Sequence, residues 1–340
     1  MQPRYVVWIA AMAASSLAAL PALSQTPTPK PKAAQTYTPP KTPWGDPDLQ
    51  GLWPSDEMIG VPMQRPKEFG TRAVLTDEEF AARQQRDERT AKADTEEYLS
   101  KDFKPGINPP AYWLERGKAS RIASLVIDPP DGRIPPLTAE GQKRADELAA
   151  YRKGRGVADS WTDQSLYDRC ITRGVTGSIL PVIYNNGNQI LQMPGYVVIR
   201  YEMIHEARVI PLDGRPHVGS DIHMYMGDPR GHWEGNTLVV ETTNFTDKTS
   251  IGLNGNGLPD SESLKLTERF TRVSPNTIDY RVTVDDPHTW THPWTMAFPL
   301  KLEPDHALYE YACHEGNYAM LGMLKGARKE EEEKKEGAKP

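Results

Sequence analysis

The sequence predicts a mainly β protein, an antiparallel barrel or sandwich preceded by a helical and loop-rich segment. Three observations carry that expectation. From about Asn188 onward, short runs alternate apolar and polar residues with period two, the signature of strands with one buried face. Tight-turn residues separate these runs with no helix-length pattern between them, which points to hairpins rather than βαβ crossovers. The 31 prolines and 26 glycines among 340 residues suit many turns and few long helices.

The chain begins "MQPRYVVWIAAMAASSLAALPALSQ", where Arg4 precedes an apolar run from Tyr5 to about Leu20 and the small-residue site Ala22-Leu23-Ser24. This is the order of a cleaved secretory signal, residues 1–24, with the mature chain starting near Gln25. The apolar run is short for a membrane span and no Cys follows it to carry a lipid. A periplasmic or secreted protein without stable membrane insertion is therefore expected.

Residues 25–43, "QTPTPKPKAAQTYTPPKTP", show no periodicity and predict an extended Pro-rich tether. Residues 44–187 are expected to form a helical and loop-rich segment packed on the β body. In "WGDPDLQGLW", Trp44, Leu49, Leu52 and Trp53 sit among turn residues and predict a docked strip. A helix is expected from Thr76, whose capping box is completed by Glu79, and a second from Thr138 to a stop before Gly154.

The β body is expected over 188–325, with strands at "NQILQM", "YVVIRYEMI", "ARVIPL", "TLVVETTNF", "SLKLTERFTRV", "TIDYRVTVDD", "MAFPLKLE" and "LYEYAC". Residues 326–340, rich in "KEEEEKK", predict a charged disordered tail.

Alternation also assigns faces. In "TIDYRVTV", Ile278, Tyr280, Val282 and Val284 face one way and Asp279, Arg281 and Thr283 the other. The same parity in "YVVIRYEMIHE" puts Val197, Ile199, Tyr201, Met203 and His205 on the apolar face. Arg200, Glu202 and Glu206 then face outward. In "SLKLTERF", Glu268 shares its face with Leu264, Leu266 and Phe270, so it must be desolvated or paired with a cation.

An inward His and Glu beside a Tyr are groups that perform acid/base work in an apolar cavity. His205 is the candidate base, Glu268 the acid or orienting carboxylate, and Tyr201 the donor to developing negative charge. Arg200, Glu206, Arg208, His223 and His314 are candidate ligand contacts. The competing expectation is a structural Glu268–Arg pair, with His205 at the rim bonded to backbone.

Net charge is −6, from 40 Lys and Arg against 46 Asp and Glu, with no basic tract, so no nucleic-acid partner is expected. His217, His223, His232, His288 and His292 match no compact ligand spacing, and "GLNGNGLPD" has no helix after it to hold a phosphate. No metal and no cofactor are expected. Cys170 and Cys313, the only cysteines, predict a disulfide in an oxidising compartment. A Cys313 nucleophile gains little from His314, because adjacent strand residues face opposite ways.

The strings "WGDPDLQGLW", "YDRCITRG", "YEMIHEARVIPLDGRPH", "GHWEGNTLVVETTNF" and "EYACHEGNY" resemble those of a large group of exported, mostly uncharacterised proteins of soil and environmental bacteria. The resemblance spans Trp44 to Arg328 and brings no catalytic residue with it. A lipocalin-like or calycin-like barrel is an analogy from the strand pattern alone. The expectation for function is a small-molecule-handling β protein acting on a small organic ligand or substrate, as a lyase, isomerase or hydrolase. Its rivals are a binding protein without turnover and an envelope structural or interaction protein.

Overall fold

The period-two runs fold into two antiparallel sheets. The structure, a computed structural model, describes residues 37–99, 111–252, 257–315 and 317–337. One sheet has four strands in the order β1 (Gly51–Leu52), β3 (Asn188–Met193), β4 (Tyr196–Tyr201) and β5 (Ala207–Pro211). The other has six, ordered β2 (Val126–Asp128), β10 (Trp294–Lys301), β9 (Thr277–Asp285), β8 (Lys265–Ser274), β7 (Thr237–Thr243) and β6 (Asp228–Glu234). Among the described residues both sheets are open, and no ladder closes them into a barrel.

Each sheet turns its apolar parity toward one shared core. Val197, Ile199 and Ile210 of the first sheet lie in one cluster with Leu238, Phe270, Tyr280, Met296 and Phe298 of the second. The arrangement is sandwich-like. Where β6 lies over β5, Gly231 allows close approach: a Cβ there would stand 2.8 Å from Ile210 Cγ2 and 2.6 Å from Leu212 Cδ2, so those side chains would have to shift.

The caps form as their sequences predict. Helix α1 (Asp77–Leu99) starts from a reciprocal box, with Thr76 N–H donating to Glu79 Oε2 at 2.8 Å and Glu79 N–H to Thr76 Oγ1 at 3.2 Å. Helix α2 (Ala139–Arg152) is capped by Thr138 Oγ1, which accepts from Gly141 N–H at 3.0 Å. The strip around Trp53 docks as expected: Leu49 and Trp53 are fully buried, and Trp53 Nε1 donates to Leu49 O at 2.8 Å. A short buried helix, α3 (Gly174–Ile179), precedes β3.

Four expectations need correction. The tether ends earlier than Pro43, since Pro39 and Thr42 are buried and Asp48 N–H donates to Pro40 O at 2.8 Å. Strand β6 is absent from the expected strands; it is the sheet edge, where an unpaired side tolerates Pro229 and its charged residues. "LYEYAC" is irregular rather than a strand. The tail expected to be disordered from 326 continues helix α4 (Tyr318–Gly337). Arg328 docks it by donating to Asp159 O at 3.0 Å and Ala158 O at 3.1 Å, and Lys329–Glu333 adds an i,i+4 pair. The expected signal segment and residues 25–36 lie outside the described residues.

Candidate functional site

Glu268 points inward as its parity requires, and the cation that meets it comes from the other sheet. Arg208 on β5 donates to Glu268 Oε1 at 3.1 Å and Oε2 at 2.6 Å, in a bidentate pair with side-chain exposures of 1% and 0%. Arg208 also donates to Tyr201 Oη at 3.1 Å and Thr242 Oγ1 at 2.9 Å, and Tyr280 Oη donates to Glu268 Oε1 at 3.1 Å. Burial pulls the guanidinium down, but Glu268 and Tyr201 outweigh it and hold Arg208 above its ordinary range. Burial pushes the Tyr201 phenol up to about 12.

The structure thus brings together Glu268, Tyr201 and Arg208 in the solvent-excluded centre of the sandwich, where each group's polar contacts are to its neighbours. The network joins β4 and β5 of one sheet to β7, β8 and β9 of the other. This is the structural ion pair weighed against the catalytic reading.

The outward parity of β4 stops at Tyr201. Ile204 adopts a left-handed conformation at φ 59° inside a 3-10 turn, Met203–His205, and the chain reverses so that Tyr201 N–H donates to Glu206 O at 2.8 Å. A β-branched residue in that region carries strain. The reversal turns Glu202 inward, leaving its side chain 2% exposed. Burial pushes the Glu202 carboxyl up, but His306, at 3.1 Å, and the N–H groups of Gly187 at 3.0 Å and Tyr309 at 3.3 Å hold it below its ordinary value. Glu202 in turn raises the His306 imidazole.

Other segments converge on this 202–206 corner. Glu115 accepts from Asn185 N–H at 2.7 Å and from Asn186 N–H and Nδ2 at 3.2 and 2.5 Å; burial outweighs these donors and raises its carboxyl. Glu206 Oε2 accepts from Thr172 Oγ1 at 2.9 Å and Arg173 N–H at 3.4 Å. Tyr167 Oη lies 2.8 Å from both Tyr184 Oη and Tyr311 Oη, and the Arg173 guanidinium sits 5.1 Å from the Tyr167 ring centroid. The Cys170–Cys313 disulfide, Cα–Cα 5.7 Å, ties the 167–173 loop to the segment bearing Tyr311.

Of the other sequence-predicted residues, Glu206 belongs to this corner and Arg200 is half-buried on the outer parity of β4. His223 is held by Phe245 O at 2.9 Å in the loop before β6. His314 is exposed beside the disulfide. His205 has its backbone in the turn, and its side chain lies outside the described residues. Sequence reasoning missed Glu115, Tyr167, Arg173, Tyr184, Glu202, His306 and Tyr311. The signal available was weak: "YDRC" and "EYAC" place a Tyr near each half of the cysteine pair.

The fold and this corner define a disulfide-linked, sandwich-like β protein with ionisable and phenolic groups gathered at one hairpin end. The chain matches no family model, and comparison with curated proteins and with solved structures likewise returns no match. Among the described residues no helix is long and apolar enough to cross a membrane.

Proposed function

We propose that this is an exported protein that handles a small polar organic molecule by acid/base chemistry, and that its site is the 202–206 corner rather than the buried Glu268 network. One observation carries the reading. Three of the four non-glycine residues with positive φ among those described, Cys170, Asn185 and Ile204, each lie within two residues of a corner side chain or of its hydrogen-bond partner. Strain of about 1–3 kcal/mol per residue persists where surrounding structure over-determines it, and it concentrates at ligand clamps and active sites.

The chemistry at hand suits polar recognition. Glu202, Glu206 and Glu115 accept hydrogen bonds, the linked phenols of Tyr167, Tyr184 and Tyr311 donate or accept, and His306 is the proton-carrying group beside Glu202. The disulfide supports an oxidising compartment outside the cytoplasm.

The test is an untargeted metabolite screen of the purified mature protein that scores compounds retained and compounds consumed. The parent should retain or convert a small set of polar compounds. Glu206→Gln and Tyr167→Phe should each weaken this by 10-fold or more, whereas the exposed-turn variant Asp213→Asn should not. Retention or turnover unaffected by both corner variants would sink the assignment, as would a parent that neither holds nor consumes anything. Consumption rather than retention separates an enzyme from a binding protein.

A further inference from the structure

We propose that Glu115, Glu202 and His306 form a site for one first-row divalent cation of the Zn2+ or Mn2+ kind. This goes beyond the corner reading by naming what these three groups would hold.

The geometry comes first. One ligand atom from each residue lies within 4.8 Å of the other two, although the residues come from three distant segments of the chain. Glu202 Oε2 and His306 Nε2 are 3.1 Å apart. Two ligands at about 2.1 Å from one metal, subtending an angle of about 95°, have that same separation. The two atoms are therefore already spaced as neighbours in a coordination shell, and a bound cation would replace their hydrogen bond from one side of the N–O line.

Charge points the same way. Two carboxylates face one imidazole in a partly enclosed setting, and among the described residues neither Glu115 nor Glu202 forms an ion pair with a Lys or Arg. A protonated His306 neutralises only one of them, whereas a divalent cation with a neutral imidazole neutralises both. On binding, the His306 Nε2–H bond breaks, the proton passes to solvent, and the nitrogen lone pair goes to the metal.

The surroundings fit a held ion. Backbone N–H groups of Gly187 and Tyr309 orient the Glu202 carboxylate, and those of Asn185 and Asn186 orient Glu115. Each carboxylate keeps acceptor capacity beyond these bonds, as outer-shell donors to metal ligands require. Gly187 lets the backbone pass close against both ligand groups, since a Cβ there would lie 2.5 Å from Leu308 Cδ2, 2.6 Å from Glu202 Oε2 and 3.2 Å from His306 Nε2. One imidazole with two carboxylates suits Zn2+ or Mn2+ better than Ca2+ or Mg2+, which take oxygen ligands alone.

The test is calorimetric titration of the chelator-treated mature protein with ZnCl2 and MnCl2, with CaCl2 for comparison. The parent should bind one equivalent of Zn2+ or Mn2+ per chain, more tightly than Ca2+. Glu115→Gln and Glu202→Gln should each weaken binding at least 10-fold, and His306→Gln should weaken it by 100-fold or more. Absence of Zn2+ and Mn2+ binding would mean that the pair shares only a proton, and would overturn the inference. So would one-equivalent binding that survives both Glu115→Gln and His306→Gln, because the ion would then sit on other histidines. Glu115→Gln keeps the result interpretable if substitution of the more deeply buried Glu202 prevents folding. Metabolite retention lost in Glu206→Gln without any cation binding discards the cation and keeps the corner. Cation binding lost in the variants, with no compound captured by the parent, does the reverse.

Discussion

Glu268→Gln isolates the charge at the centre of the sandwich, because Gln keeps the shape of Glu. The parent pair is bidentate, at 3.1 and 2.6 Å, with side-chain exposures of 1% for Arg208 and 0% for Glu268. The variant retains the Tyr201 and Thr242 oxygens as acceptors for the guanidinium but leaves its charge uncompensated. Stranding one member of a buried pair costs about 3–5 kcal/mol, and the surviving hydrogen bonds place this case near 3. At about 2.1 cal/mol/K per residue over roughly 300 folded residues, about 1.6 °C is lost per kcal/mol, so the thermal midpoint should fall by about 5 °C. Guanidinium unfolding should show a lower midpoint at unchanged slope. Arg208→Met should cost a similar amount by stranding the carboxylate. The double variant should cost less than the sum by about 2–3 kcal/mol, since its second change removes a charge already stranded. Additive losses, or a Glu268→Gln variant as stable as the parent, would refute the view that this pair locks the two sheets together.

Asp260 supplies the pH dependence: burial first, and then the neighbouring Asp286 charge, push its carboxyl up from 3.8 to about 7. A raised folded-state value means that the folded protein holds this proton more tightly than the unfolded chain. Its contribution is thus fully present below about pH 3.8, is lost as pH rises toward 7, and totals about 4 kcal/mol. Denaturation of Asp260→Asn against the parent at pH 5 and pH 8 should show the variant gaining relative stability at the higher pH; a difference independent of pH would refute the assignment. The disulfide closes a loop of sequence separation 143, worth up to about 5 kcal/mol by chain entropy. Thiol titration after unfolding without reductant should find no reactive group, and reduction should lower the melting temperature; two free thiols would remove the bridge.

The sequence by itself determined what depends on near neighbours along the chain. Thr76 with Glu79 and Thr138 mark helix starts because a cap bonds within one turn. The alternation of Ile278, Tyr280, Val282 and Val284 marks a core face because strand geometry repeats every two residues, and the same rule turned Glu268 inward. Two cysteines and no others pointed to a bridge, which the 5.7 Å Cα–Cα separation of Cys170 and Cys313 bears out. Tertiary structure alone decided what depends on which strands face each other. Arg208 meets Glu268 across the gap between sheets, a relation no local period encodes. Parity failed after Tyr201 because one residue, Ile204, in the left-handed region breaks the two-residue repeat and carries Glu202 from the wet face to the interior. Glu115 and His306 join Glu202 from far along the chain through irregular backbone. Irregular backbone has no repeat to read, so only the packed sheets and the disulfide decide where its side chains end up.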